Sequence, residues 1–309
     1  VPLTPRSSSW TPIAALLLLA LIWGYNWVQM KIAVHYASPF QFAAWRIGLG
    51  GLGLLIALVV LRKPLWPKAI LATCCIGCLQ TAGVYGLASW ALVSGGAGKT
   101  SVLVYTMPFW TVLIAWFALG ERVRGWQWVA LGLSITGLLL ILEPQQLGGT
   151  LLSKLLAILA GCCWAGGAVI AKRLRQRSDI DLFSLTVWQT LFAALPLMLV
   201  AFLVPAQPTV WSTDFIIALV YNVIPGTAIA TLLWMFILDR LSAGAAGLGI
   251  LLNPVVAVFA AWIQLGERPS IMEALGMIVL AVALILNALQ VLQSRSLRNA
   301  VESGLRSKD

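Results

Sequence analysis

The fold class this sequence predicts is an all-α integral membrane protein of ten transmembrane helices, arranged as two inverted five-helix repeats. Three observations carry the expectation. The 309 residues are 61% hydrophobic and only 10% charged, more apolar surface than one water-facing domain can bury. Apolar runs of about 20 residues, enough to cross roughly 30 Å of hydrocarbon, recur nearly end to end. Two segments also occur twice. Trp23-Gly-Tyr-Asn-Trp-Val-Gln-Met-Lys31 lines up with Trp164-Ala-Gly-Gly-Ala-Val-Ile-Ala-Lys172, and Pro108 to Gly120-Glu121-Arg122 lines up with Pro254 to Gly266-Glu267-Arg268, at offsets of 141 and 146 residues. Copying a unit with an odd number of spans makes the second copy enter the membrane from the opposite side, the inverted-repeat plan of many secondary transporters.

The elements follow in order. A tail, 1–10, leads into span 1 at 11–34, which is too long for a cleaved signal peptide and runs into the repeated unit. Span 2, 39–61, carries Gly48, Gly50, Gly51 and Gly53 at spacings that suit close helix contact. It also holds Arg46 about two turns in, with pairing to Glu143 and snorkelling outward both open to it. Span 3, 69–93, contains Cys74, Cys75 and Cys78, and span 6 contains Cys162 and Cys163. All five sit in the apolar segments, and Cys75-x-x-Cys78 lacks a second pair or a nearby His, so they are expected to be small buried thiols. Span 4, 97–119, begins with Gly98-Lys99-Thr100. This resembles a phosphate-binding loop only in part, because Val93 stands where the leading Gly belongs and no strand precedes it. Span 5, 126–143, closes the first repeat, 11–143, and residues 144–150 form a linker. Spans 6 to 10, at 151–173, 181–204, 213–239, 244–265 and 270–291, make the second repeat, 151–291, before a tail at 292–309. Glycines 132 and 137 in span 5 suit close packing, and Pro196 in span 7 suits a local kink.

The net charge of +10 follows this topology rather than forming a nucleic-acid patch. Fifteen of the 20 Lys and Arg fall on one side, Lys31, Lys99, Lys154 and Arg268 fall on the other, and Arg46 lies within a span. By the positive-inside rule both termini are cytoplasmic.

Placing the spans about a common midplane brings polar and aromatic groups to similar depth: Trp23, Asn26, Gln80, Tyr85 and Tyr105 in the first repeat, with Trp164, Asn222, Thr227 and Asn253 in the second. Such groups are costly in lipid unless they face protein or water, so they are candidates to line a substrate cavity. Pro108 and Pro254 occupy matching positions, and Pro225-Gly226 adds a third irregular point. Each proline removes a backbone donor and crowds the carbonyl four residues earlier, making these residues candidate hinges. No acidic residue lies at a span centre, and no Lys or Arg sits at the midplane. The cavity therefore suits a neutral or zwitterionic solute held by amide, hydroxyl and indole groups. His35 is the single histidine, so a zinc site or a Ser-His nucleophile has no second partner. No metal or cofactor is expected, and an enzyme acting on lipid lacks a pairable nucleophile.

At these residues the sequence resembles the drug/metabolite transporter superfamily, specifically the EamA family of ten-span carriers. The matching features are Trp23-Gly-x-Asn26 with Lys31, Ala44-x-Arg46, Pro108 with Gly120-Glu121-Arg122, and their partners Trp164, Lys172, Pro254 and Gly266-Glu267-Arg268. Among its branches the chain looks most like the bacterial YddG-type exporters of aromatic and other amino acids. The resemblance implies a bacterial inner-membrane carrier that exports amino acids by alternating access. It also implies a central cavity between spans 1, 3, 4, 6, 8 and 9, with spans 5 and 10 at the periphery. Efflux of another small metabolite or a lipophilic drug is the alternative. The second repeat departs from the first in having Gly167 where Asn26 stands.

Overall fold

A computed structural model describes residues 10–120, 125–142, 150–241 and 249–306. Ten helical spans run through them: α1 (Trp10–Tyr36), α2 (Pro39–Val60), α3 (Ile70–Ser94), α4 (Ala97–Leu119), α5 (Trp126–Leu142), α6 (Thr150–Arg177), α7 (Leu182–Leu203), α8 (Thr213–Arg240), α9 (Leu252–Leu265) and α10 (Ile271–Arg306). Seven are long and apolar enough to cross a membrane, and α5, α9 and the Ile271–Asn287 part of α10 are shorter apolar helices. Glu121, Arg122 and Glu143 lie outside the described residues, so the pairing of Arg46 with Glu143 does too.

Polar residues at the turns start the helices. Ser38, Asp181 and Ser212 accept the backbone N–H three residues on, opening α2, α7 and α8, which satisfies a donor the first turn leaves free. Ser270 and Glu273 cap each other reciprocally at α10, with Ser270 N–H donating to Glu273 Oε2 at 3.0 Å and Glu273 N–H donating to Ser270 Oγ at 3.1 Å.

The repeat is visible in the backbone. Helix α4 breaks at Tyr105–Thr106, between Ala97–Val104 and Met107–Leu119, so the last residue before the break is the one whose carbonyl Pro108 would crowd. Residue 251, which lies 146 positions after Tyr105, likewise stands outside regular helix, and Pro254 is the third residue of α9. Both helices then end on a left-handed glycine, Gly120 at φ 66° and Gly266 at φ 67°, whose N–H bonds Ala115 O and Ala261 O respectively. Glycine takes that conformation without a Cβ penalty. In α3 the helix widens to π geometry over Gly77–Gly83, and in α8 over Ile224–Ile229.

The two fifth helices, α5 and α10, pack along each other. A Cβ on Gly137 would lie 2.9 Å from Gly276 O, and one on Gly276 would lie 2.8 Å from Gly137 O. Each helix thus lacks a side chain at the point where the two backbones meet. Of the other expected contact glycines, Gly48, Gly50 and Gly51 meet side chains of α7 or α8, whereas Gly53 and Gly132 meet nothing within 4 Å. The cysteines are free, but Cys75 and Cys78 are exposed rather than buried. A lipid-facing surface is as apolar as a core, so composition does not separate the two.

Charges gather at the two ends. At the end holding Lys31, Lys99 and Lys154 both pair with Glu273. Glu267 accepts the N–H groups of Ala97, at 2.7 Å, and Gly98, at 3.1 Å. The segment Gly98-Lys99-Thr100 thus meets an internal carboxylate at the helix N-terminus. At the other end Lys63 pairs with Asp181 at 3.3 Å, beside a cavity of about 680 Å³ lined by residues of α7, α8 and the loop after α2.

Candidate substrate site

Helix α1 lies between α8 and α9 and presents a different face to each. Towards α8, Trp23 Nε1 donates to Gly226 O at 3.2 Å, and its ring sits 6.1 Å from that of Trp234. Asn26, one turn on, presses its amide oxygen against Gly226, where any Cβ would collide with it. Glycine at 226 is therefore required by close approach. The wide turn of α8 sets up this contact. Pro225 has no N–H to give, Thr227 Oγ1 donates to the carbonyl of Asn222 at 2.8 Å, and Asn222 Nδ2 donates to Ala218 O at 2.8 Å. Widened helical turns free backbone groups in this way and are common at functional sites.

Towards α9 and α4, the ring of Trp27 lies 6.4 Å from that of Tyr105, and Asn253 Nδ2 donates to Tyr105 Oη at 2.7 Å. The break in α4 is held by Thr106, whose hydroxyl donates to Leu103 O at 2.6 Å and accepts from Trp110 Nε1 at 3.1 Å. Pro108 follows that turn directly.

Predicted site residues therefore fall into three groups. Trp23, Asn26 and Gly226 meet at the α1–α8 contact, with Asn222, Pro225 and Thr227 on the same wide turn of α8. Tyr105 and Asn253 meet at the α4–α9 contact, where Ala97–Val104 packs on the segment led by Pro254 while the segment led by Pro108 packs on α6. Gln80 stands apart, its Cβ against Gly167 of α6, in a groove shared with Lys172, Arg175 and Gln176. Trp164 shares a helical face with Gly167 and lies one turn from Gly161, which abuts Val104 O at the α4 break. Tyr85 faces Arg46, whose guanidinium carbon lies 4.1 Å from the Tyr85 ring centre. Arg46 is 1% exposed, so it does not snorkel. Stacking on an aromatic face takes the place of the water that an outward rotamer would reach.

The first two groups share a feature that sequence alone does not reveal. Asn26, Asn222 and Asn253 are 4%, 0% and 1% exposed, and the Oδ1 atom of each lacks a hydrogen-bond partner. Ser89 Oγ and Arg46 Nε and Nη1 are in the same condition. Buried polar atoms are almost always paired, and an orphan costs about 1–3 kcal/mol. The six orphans are spread over α1, α2, α3, α8 and α9. Arg46 and Ser89 were outside the sequence-predicted set, and the available signal was a charge seven residues into an apolar span.

Seven helices long and apolar enough to cross a membrane, with three shorter apolar ones, mark a multi-pass membrane protein. The chain belongs to the EamA-like transporter family, whose profile matches residues 10–143 and 151–289. It is 28% identical over 275 residues to the uncharacterized transporter YoaV of Bacillus subtilis (strain 168), covering 87% of this chain and 94% of that one. It is 25% identical over 282 residues to a probable amino-acid metabolite efflux pump of Escherichia coli (strain K12), covering 88% and 92%. The uncharacterized inner membrane transporter YedA of the same strain is 27% identical over 277 residues, covering 88% and 89%. A solved crystal structure shares the fold at TM-score 0.63 and 18% identity, over 92% of this chain and 99% of that one. The family and these relatives are named as transporters, not enzymes.

Proposed function

We propose that this protein exports neutral or zwitterionic amino acids, aromatic ones among them, across the bacterial inner membrane by alternating access. The observation that carries the reading is the trio of buried amide oxygens on Asn26, Asn222 and Asn253 without protein partners. They are acceptors suited to an ammonium group, and Trp23, Trp27, Tyr105 and Trp234 supply aromatic walls beside them. Bending at Pro108, Pro254 and Pro225–Gly226 supplies the motion, and the bias of Lys and Arg puts both termini in the cytoplasm. The relative named as a probable amino-acid metabolite efflux pump supports the same substrate class.

The test is flux of labelled phenylalanine, tryptophan and threonine in proteoliposomes holding only this protein, with and without a proton gradient. Saturable flux that unlabelled amino acid inhibits is expected. Asn26→Ala and Trp164→Ala should lower it while the thermal midpoint in detergent stays near wild type. Absence of flux from folded, oriented protein would reassign the carrier to another metabolite or a lipophilic drug.

A further inference from the structure

Arg46 is buried inside the bundle, and among the described residues nothing of opposite charge lies beside it. None of the ion pairs among the described residues includes it. The ring of Tyr85 satisfies the flat face of the guanidinium, but a cation–π contact leaves the in-plane N–H groups unused. Nε and Nη1 have no acceptor. A buried charge left in that state is strongly unfavourable unless a partner completes it.

The packing shows what lies level with this charge. Helices α2 and α8 both start at the Lys31 end, where Val210 N–H donates to Tyr36 O and Tyr36 Oη donates to Asp214. They touch at Gly50, where a Cβ would lie 2.8 Å from Thr227 Cγ2. Arg46 precedes Gly50 by four residues and Asn222 precedes Thr227 by five. At about 1.5 Å per residue, both sit roughly one turn from the contact, in the same direction. Unpaired donors on Arg46 thus share a level with the unpaired acceptor of Asn222, and the acceptor of Asn26 lies at Gly226, the next residue of α8 before Thr227.

We propose that Arg46 binds the carboxylate of the transported solute, with the amide oxygens of Asn222 and Asn26 taking its ammonium. The planar fork of arginine matches a carboxylate through two parallel N–H···O bonds, and Tyr85 fixes the plane of that fork. The inference rests on the amino-acid reading above and adds to it that the carboxylate is the obligatory group. A merely structural Arg46, a cation propped on Tyr85, makes the opposite prediction of indifference to the ligand's acid group.

The experiment compares phenylalanine, phenylalaninamide and 3-phenylpropionate on the full chain, by thermal stabilisation in detergent and by competition for flux in proteoliposomes. Wild type, Arg46→Lys and Arg46→Gln are measured in parallel. Phenylalanine and 3-phenylpropionate are expected to engage wild type at least about 30-fold more tightly than their amide-capped or acid-free counterpart, a factor typical of one lost partner in a buried charge pair. Arg46→Gln should erase that preference by weakening the acids and sparing phenylalaninamide, with Arg46→Lys between the two. Equal weakening of acids and amide in Arg46→Gln, or equal affinity of wild type for both, overturns the proposal. If Arg46→Gln fails to fold, the acid-to-amide ratio of wild type against Arg46→Lys decides it. If wild type moves no amino acid, the transport reading fails. Arg46-dependent stabilisation by 3-phenylpropionate would then still support the carboxylate site, and its absence would reject it.

Discussion

The two repeats agree in backbone and disagree in chemistry. Both have a fourth helix that breaks before its proline and ends on a left-handed glycine, at Gly120 and Gly266, and both have a third helix with a π-helical stretch, Gly77–Gly83 and Ile224–Ile229. Their polar side chains have gone separate ways. Asn26 presses on Gly226 across α1 and α8, whereas its mate, Gly167, makes room for Gln80 across α6 and α3. Lys31 donates to Leu92 O at 2.6 Å and Gly95 O at 2.9 Å, whereas Lys172 is exposed beside Gln80. The irregular turns behave as duplicated equipment, while the cluster of unpaired polar atoms exists once. On the proposed reading, a scaffold with matching irregular turns holds a site with no symmetry.

Glycine substitutions probe that contrast most strongly. A Cβ on Gly77 would strike the backbone carbonyl oxygen of Gln189, with the carbonyl carbon at 3.2 Å and Cα at 3.3 Å, and backbone cannot retreat as a side chain can. Gly77→Ala should lower unfolding stability in detergent by about 1–3 kcal/mol. Gly226→Ala meets the amide end of Asn26 instead, so its loss should appear chiefly in transport. Equal destabilisation by the two would break the distinction between scaffold and site. Lys31→Met should cost roughly 1.5–3 kcal/mol, because it leaves the carbonyls at the end of α3 without a charged donor. Lys172→Met should stay within about 0.5 kcal/mol, as is usual on a surface, and thermal unfolding of the pair measures the difference. A double-mutant cycle of Asn253→Leu with Tyr105→Phe should return a coupling of about 0.6–2 kcal/mol, the range for hydrogen bonds between membrane helices. The smallest effect is expected at Gly132, where a Cβ meets nothing within 4 Å. Gly132→Ala should raise stability by roughly 0.5–1 kcal/mol through the helical preference of alanine.

The scaffold was far more legible in the sequence than the site. Apolar runs bounded by charge placed the first eight spans within about four residues, since a bilayer imposes one length on every crossing, whereas α9 starts at Leu252 rather than 244 and α10 runs on to Arg306 rather than 291. The prolines marked where α4 and α9 lose regularity. The π-helical stretch around Gln80 left no such mark. Gly77 and Gly83 bound it, but a widened turn reflects packing across to Gln189 and Cys163 rather than any local residue rule. For Arg46 the snorkelling alternative fails for a related reason. A lone charge in a span reads as one that must reach water, and only the placement of Tyr85 across from it reveals a second solution. Depth in the membrane grouped Gln80 with Asn26, yet two residues at one depth can face opposite sides of a bundle, and helix rotation is set by neighbours that a single sequence does not display.

Gly137 and Gly276 bring the backbones of α5 and α10 into contact, with Ile141 and Leu280 packed close alongside. That seam joins the two repeats along one line, so it can serve as an axle while other helices swing. Spin labels placed across it should hold a single separation through the transport cycle. Labels across α1 and α8 should not, and the first pair would then give every other distance in the molecule an internal ruler.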